Sequence, residues 1–407
     1  MTFSKFPKLT FWRAVLMLIL AAGFYSTVLR FVKGLGAATN LSDQFPWGLW
    51  IGFDVLCGVG LAAGGFTLAA IVYVFHLDRF HPVLRPSILT AFLGYALVAV
   101  ALLYDLGKPY NIWHPMVMWN PHSVMFEVAW CVMLYLTVLA LEFSPAVLER
   151  FHLHKPLRIV KAATIPLVIA GVMLSTLHQS SLGSLYLIVP EKLYPYWYSP
   201  LLPVFFFISA VSVGLAMVIF ESNLSARAFG REIEMPLLEV LGRAMAVVLA
   251  IYGLLKLQDL WARGALVHLR EPSTETLLFL LEITLGVLIP FPLLLFRKVR
   301  EDRQSLFGVA VLVITGFLLN RLNVSITGME ASSGVHYFPR WTEVAVTLSI
   351  VGVGFLLFSL AVRYLNVMEK QVPGVRSTAP GWIFSLTPDT RHLTPAFPSR
   401  SGSAPPG

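Results

Sequence analysis

Long apolar stretches, each closed by a short polar or charged segment, recur along the chain up to about residue 366. A helix needs roughly 20 apolar residues to cross a bilayer core. Ten stretches approach or exceed that length, at 12–33, 47–75, 87–105, 122–142, 160–177, 200–220, 238–259, 275–296, 305–323 and 342–366. A closed barrel also satisfies its backbone in lipid, but its strands alternate apolar and polar residues over about 10 positions. These stretches are continuous and rich in Leu, Ala, Val and Ile. The pattern predicts an all-α integral membrane protein of about ten transmembrane helices.

Composition agrees: of 407 residues, 57% are hydrophobic and 13% charged, against roughly 25% charged in soluble domains. The excess of positive charge, +8, is a matter of topology. With the N-terminus inside, the inner segments and tail hold 21 Lys and Arg and the outer ones 9, the bias that orients membrane helices. Basic residues sit in short clusters between spans, which argues against a nucleic-acid partner and for lipids. Both termini are therefore expected in the cytoplasm of a bacterial inner membrane. The first apolar run follows Lys5 and Lys8 but outlasts a signal peptide and lacks a small-residue cleavage site, so it reads as a retained span. Residues 1–370 read as the transmembrane domain, and the Pro-, Ser- and Gly-rich residues 371–407 as a disordered cytoplasmic tail.

Ionisable residues are expensive inside a bilayer and point to function. Asp54 lies about seven residues, roughly 10 Å, into the second stretch. Glu127 and Glu282 lie at similar depth in the fourth and eighth. Lys256 and Asp259, Asp105 and His178 stand at outer ends. Each acid could instead brace neighbouring helices, as Lys256 and Asp259 would at i,i+3. Their shared depth favours one polar pocket opening outward, while the inner halves are nearly bare apart from end residues such as His76, Glu142 and Glu221.

Four polar strings surround that depth: Asn40–Trp47, Asp105-Leu-Gly-Lys-Pro109, His178-Gln-Ser-Ser-Leu-Gly-Ser184 and Asn320–Ser325. The third places donors and acceptors where an apolar helix is expected to meet water, which suits the head of a quinone whose tail stays in lipid. Outer aromatics, including Trp113, Trp119 and Tyr194–Tyr198, fit either interfacial anchoring or a lid that docks a partner. Haem needs two histidines facing each other across helices, and the ten histidines all fall in loops or at stretch ends, so no haem is expected. Cys57 and Cys131, the two cysteines, are too few to hold an iron–sulfur cluster in this chain.

Three of these strings, Asn40–Gly52, Asp105–Pro109 and His178–Leu185, carry a resemblance. The chain resembles the polysulfide-reductase membrane-subunit (NrfD-like) family, and most of all its nickel–iron hydrogenase cytochrome b (HybB) branch, over about residues 12–366. The resemblance implies two four-helix bundles plus flanking helices. It also implies a membrane anchor that exchanges electrons between a periplasmic ferredoxin-like iron–sulfur subunit and a menaquinone-type quinone near the outer face. A large catalytic subunit or multihaem cytochrome would complete the complex.

On this reading His178, Gln179, Lys108 and Asn320 hold the quinone, while Asp54, Asp105 and Glu127 transfer its protons. Coupled proton translocation would need an inner-side path for which the sequence offers few groups. Two other readings stay open. A secondary transporter also has about ten spans, and Gly58, Gly60, Gly64 and Gly65 hint at a broken second helix, although no matching run follows in a second half. A passive anchor would leave the outer acids unexplained.

Overall fold

A computed structural model describes residues 10–229, 235–365 and 367. The proposed tail, 371–407, lies outside the described residues. Ten helices are long and apolar enough to cross a membrane: α1 Phe11–Lys33, α2 Trp50–Val74, α3 Asp78–Asp105, α4 Val124–Arg150, α5 Thr164–Leu187, α6 Leu202–Ala228, α7 Met235–Ala262, α8 Thr274–Leu295, α9 Arg303–Ser333 and α10 Trp341–Tyr364. No strand occurs among the described residues. The chain is a multi-pass, all-α integral membrane protein.

Helices α2–α5 close one four-helix bundle and α6–α9 a second, each with sequential neighbours in contact and its first helix packed on its last. The bundles meet along α2, α5, α6 and α9. The α1/α10 pair flanks the first bundle against α3 and the start of α2. One large apolar core spans both bundles around Leu68, Leu84, Leu215, Leu241 and Val309. A second, rich in aromatics, surrounds Tyr95, Tyr135, Trp197 and Phe206.

The glycines of α2 are contact points, and they flank a turn at Ala62–Ala63 that interrupts the helix. A Cβ on Gly60 would lie 2.1 Å from the Phe317 ring, and one on Gly65 2.5 Å from the Ala91 methyl. Helices that share no hydrophobic drive in lipid gain van der Waals contact by such close approach. Wide π turns occur at Trp50–Cys57, Ala70–Val74, Thr284–Leu288 and Asn323–Thr327. Irregularity is thus present in both bundles, contrary to the one-sided glycine pattern, yet the backbone stays helical through each turn.

Several helices outrun their apolar stretches. Helix α5 continues to Leu187 and α9 to Ser333, ten residues beyond the expected ends at 177 and 323. The polar residues there face the bundle interior: His178, Gln179, Ser181, Asn320, Arg321 and Asn323 are all buried. Hydropathy took them for water-facing because it counts side chains and not their neighbours.

The outer aromatics divide. Trp113 and Trp119 are exposed, whereas Tyr196 and Trp197 are fully buried. Tyr196 stacks on Phe279 with ring centroids 4.5 Å apart, and the Trp197 indole N–H reaches Glu282 at 2.9 Å. That loop is a plug in the second bundle, neither a lid nor an interfacial belt.

Candidate functional site

The expected single pocket is three polar clusters. The first lies at the end of the first bundle where α2 begins and α3 ends, and where the α1/α10 pair meets both. Asp54 is four residues into α2, about 6 Å at 1.5 Å per residue, and it accepts a 2.7 Å hydrogen bond from the Thr347 hydroxyl of α10. Asp105 ends α3 near Arg30 and Asp54, and its Oδ1 is buried without a hydrogen-bond partner. Arg30, itself buried, donates to the carbonyls of Tyr104 at 2.7 Å and Leu106 at 2.6 Å. The Arg30 charge is thereby held beside Asp105 while its hydrogen bonds go to backbone.

Glu343, at the first turn of α10, organises the rim above. It accepts from the Tyr337 hydroxyl at 2.5 Å, the Arg340 amide at 2.7 Å and the Asn40 amide at 3.0 Å. The Trp50 indole donates to the Glu343 carbonyl at 3.2 Å, and the Tyr337 hydroxyl accepts the Leu49 amide at 2.9 Å. The motif Asn40–Gly52 is therefore a docking segment for the start of α10. Gly48 has to be glycine in this arrangement, because a Cβ would lie 2.3 Å from the Tyr337 hydroxyl.

The second cluster runs from Glu127, exposed near the start of α4, into the interior of the first bundle. Glu127 accepts a 2.5 Å hydrogen bond from Ser181. One turn deeper, His178 is fully buried with both ring nitrogens unpartnered, its ring 5.6 Å from that of Tyr95. The Gln179 amide donates to the Val59 carbonyl at 3.1 Å and leaves its oxygen unpartnered. His178 lies nine residues, roughly 13 Å, below the end of α5, so it and Gln179 are not at the water boundary as the sequence implied.

The third cluster is in the second bundle. Glu282 receives Trp197, then Asn320 at 2.7 Å and Asn323 at 2.8 Å. Arg321 donates to Asn320 Oδ1 at 2.7 Å and Ser209 at 2.9 Å, with its guanidinium carbon 3.6 Å from the Phe206 ring centroid. Lys256 does not pair with Asp259. It donates to the Tyr196 carbonyl at 2.9 Å, and Asp259 instead binds Arg263 at 2.7 Å and accepts from Ser199 at 2.7 Å.

Of the expected site residues, Asp54 and Asp105 come together and Glu127 shares the second cluster with His178 and Gln179. Asn320 belongs to the other bundle, engaged by Glu282, and Lys108 is exposed in the loop between α3 and α4. The residues that reasoning from sequence missed are Arg30, Glu343 and Thr347 at the rim, and Tyr95, Tyr135 and Ser175 inside the first bundle. Glu343 stands three residues after Arg340 at a helix start, a spacing that signals a cap. The tyrosines and serine carry no charge, so a hydropathy scan passes over them.

A ten-helix, two-bundle membrane protein with buried acids in its spans defines the class. The chain belongs to the polysulphide reductase NrfD family, whose model matches residues 37–331. It is 34% identical over 347 residues to the probable Ni/Fe-hydrogenase 2 b-type cytochrome subunit of Escherichia coli, covering 84% of this chain and 88% of the relative. It is 27% identical over 394 residues to the menaquinone reductase integral membrane subunit of Nitratidesulfovibrio vulgaris, covering 89% and 93%. A further protein of N. vulgaris is 44% identical over 345 residues, covering 82% and 88%. The family resemblance and its hydrogenase-type branch thus stand on two-thirds or more of each chain.

The name of the E. coli relative raises haem. His178 is inside a helix after all, so the argument from stretch ends does not apply to it. Among the described residues it is the one fully buried histidine, and its ring faces Tyr95 rather than a second imidazole. Among the described residues no second histidine is buried with it to make a pair of axial ligands.

Proposed function

We propose that this chain is the quinone-reactive membrane subunit of a respiratory oxidoreductase, with its quinone at the Asp54–Asp105–Arg30 cluster on the periplasmic side. The observation that carries the reading is the buried, unpartnered Asp105 Oδ1 beside a second buried acid and a buried arginine. A buried polar atom without a partner costs on the order of 1–3 kcal/mol, so such an atom at a helix end is a place for a ligand to bond. The menaquinone reductase relative supports a menaquinone-type quinone. When bound, a quinone supplies two-electron, two-proton chemistry at its ring oxygens.

Within the chain, Asp105 is set to exchange a proton with a ring oxygen, and Asp54 to hand on or receive the next. Thr347 fixes the Asp54 carboxyl, and Arg30 offsets negative charge that gathers there. The α1/α10 pair borders the cluster on the lipid side, where an isoprenoid tail stays in the bilayer. His178 and Gln179 stand deeper, inside the first bundle. Electrons come from a partner on the same face, an iron–sulfur subunit of the ferredoxin type, which with a catalytic subunit or multihaem cytochrome forms the complex.

The test is turnover of a menaquinone analogue by the purified complex with Asp105→Asn and Asp54→Asn. Proton-transfer groups contribute roughly 100- to 10,000-fold, so each variant is expected to lose at least tenfold with subunit composition unchanged. Normal turnover in both would move the quinone elsewhere. A transporter needs broken helices with free ends aimed at a substrate, and the turn in α2, at Ala62–Ala63, keeps right-handed helical dihedrals and frees no helix end toward a cavity.

A further inference from the structure

The connection between α4 and α5 is basic and amphipathic. From Arg150 to Lys161 it reads Arg-Phe-His-Leu-His-Lys-Pro-Leu-Arg-Ile-Val-Lys, and no acid occurs between residues 150 and 190. His154–Ala162 form a short helix at the end of the first bundle where α2 ends and α3 begins, opposite the Asp54–Asp105 cluster. The segment leaves α4 at the end of one span and is followed after a single residue by α5, the next span. It therefore stays at the depth where headgroups meet hydrocarbon.

At about 100° per residue, Lys161, His154, Arg158 and Lys155 fall within one arc of about 120° on the short helix, and Ile159, Pro156, Val160 and Leu157 fill the other side. Leu157 and Val160 are half-buried, and the helix packs on α4 and α5. Phe151, Leu153 and Ile159 are exposed, Ile159 by 70%. A helix with a basic face and an apolar one lies in the plane of the membrane interface, its apolar side at the acyl boundary.

The basic residues divide by partner. Lys161 reaches Glu149 at 3.3 Å, and Glu149 also meets Arg85 of α3 at 3.4 Å. Arg150, Lys155 and Arg158 are exposed, and among the described residues none of them has an ion pair or a side-chain hydrogen bond. The same end of the second bundle differs. There Arg243 and Arg300 share Glu239 at 2.6 and 3.1 Å, and Arg297 pairs with Glu301 at 2.7 Å.

Alone, the segment is a poor helix. Like charges three residues apart, Lys155 with Arg158 and Arg158 with Lys161, repel on its surface. His154 and Lys155 oppose the helix dipole in a first turn that holds no acid. Nine residues are also too few for an isolated helix to persist in water. The arrangement becomes favourable when an anion meets the basic side and hydrocarbon meets the exposed apolar side. A phospholipid with a negatively charged headgroup supplies both at this depth.

We propose that Lys155 and Arg158, with Arg150 at the end of α4, bind the headgroup phosphate of an anionic phospholipid whose acyl chains pack on Phe151, Leu153 and Ile159. The Arg158 guanidinium engages two phosphate oxygens at once, and Lys155 acts as a point charge. The bound lipid offsets the crowding of positive charge and holds the short helix against the bundle, beside the Lys161–Glu149–Arg85 set.

The test follows lipid retention by the full-length protein, purified in detergent with its bound subunits. Native mass spectrometry is recorded during titration with phosphatidylglycerol or with phosphatidylcholine of the same acyl chains. One basic residue near an anionic surface contributes about a fivefold preference, so the wild type is expected to hold phosphatidylglycerol at least tenfold more tightly. Arg158→Gln is expected to lower that preference severalfold, and Lys155→Gln with Arg158→Gln at least tenfold. Arg297→Gln removes an exposed arginine from the second bundle and is expected to leave it unchanged. Equal binding of the two lipids by the wild type would leave the basic face to an acidic soluble partner and overturn the lipid site. An equal loss in the Arg297 variant would reduce the site to general surface charge and overturn it too. Loss of the preference in millimolar ammonium phosphate, at constant ionic strength, would assign the residues to free phosphate instead.

Discussion

The Thr347 hydroxyl is 2.7 Å from Asp54 Oδ2 and joins the last helix of the chain to the second. One turn earlier on each helix, the Trp50 indole donates to the Glu343 carbonyl at 3.2 Å. The flanking α10 is thus registered against the first bundle by two bonds a helical turn apart. Thr347 acts through Asp54, as a positioning residue. Thr347→Val keeps shape and removes the donor, and is expected to lower kcat for quinone severalfold with KM little changed, while Thr347→Ser restores it. Equal loss in Val and Ser variants, or loss only of assembled complex, would make the bond purely structural.

Glu282 is the hub of the second bundle. It is 2% exposed and takes N–H bonds from α9 and from the loop between α5 and α6. Glu282→Ala leaves the donors of Trp197, Asn320 and Asn323 buried without an acceptor, at about 1–3 kcal/mol each. Thermal unfolding of the detergent-solubilised complex is expected at clearly lower temperature, with Glu282→Gln intermediate because it keeps one acceptor oxygen. An Ala variant as stable as wild type would mean that water enters and replaces the carboxylate.

The ten spans were legible because a crossing helix has to be predominantly apolar over about 20 residues, whereas the two-bundle arrangement was implied by the family resemblance. The site was legible only in part. Asp54 and Asp105 stood out as charges, and they do sit together. The depth of His178 was misread because its neighbours Gln179, Ser180 and Ser181 look like a loop, and only the bundle that buries them shows otherwise. Asn320 was assigned to the same pocket through shared depth, but depth along the membrane says nothing about which bundle a helix joins. Arg30 was counted as an outer-loop charge, and its burial follows from tertiary packing of α1 against the end of α3.

Gly286 and Gly316 bring α8 and α9 into backbone contact. A Cβ on Gly316 would lie 2.1 Å from the Gly286 Cα, whereas one on Gly286 would lie 3.2 Å from the Gly316 Cα. Gly316→Ala therefore has to push the helices apart, and Gly286→Ala needs a shift of only a few tenths of an ångström. Overpacking costs about 1–3 kcal/mol, so the first variant is expected to lower thermal stability measurably and the second less. The same order is expected for disruption of the 30 Å³ cavity lined by Glu282, Ser212, Tyr252 and Gly316. A reversed order would show that the π turn at Thr284–Leu288 absorbs strain on one side only.

Arg321 is 1% exposed at the meeting of the two bundles and has no carboxylate bonded to it. Its charge is met by Asn320 Oδ1, by Ser209, by the Phe206 carbonyl at 3.1 Å and by the faces of Phe206 and Phe317, at 3.6 and 4.5 Å. A planar guanidinium can stack and donate sideways at once, which an ammonium cannot. A desolvated cation–π stack contributes about 2 kcal/mol. Arg321→Lys keeps the charge and loses the stack and the fork, so it retains the cost of a buried cation without its compensation. Arg321→Met fills similar volume, removes the charge and leaves Asn320 Oδ1, Ser209 Oγ and the Phe206 carbonyl without this donor, at about 1–3 kcal/mol for each that stays unpartnered. Lys is therefore expected to be no more stable than Met in thermal unfolding of the solubilised complex, although it is the chemically closer replacement. If Lys is clearly the better of the two, the positive charge itself holds the bundles together, through Glu282 beyond Asn320, and the aromatic faces are secondary.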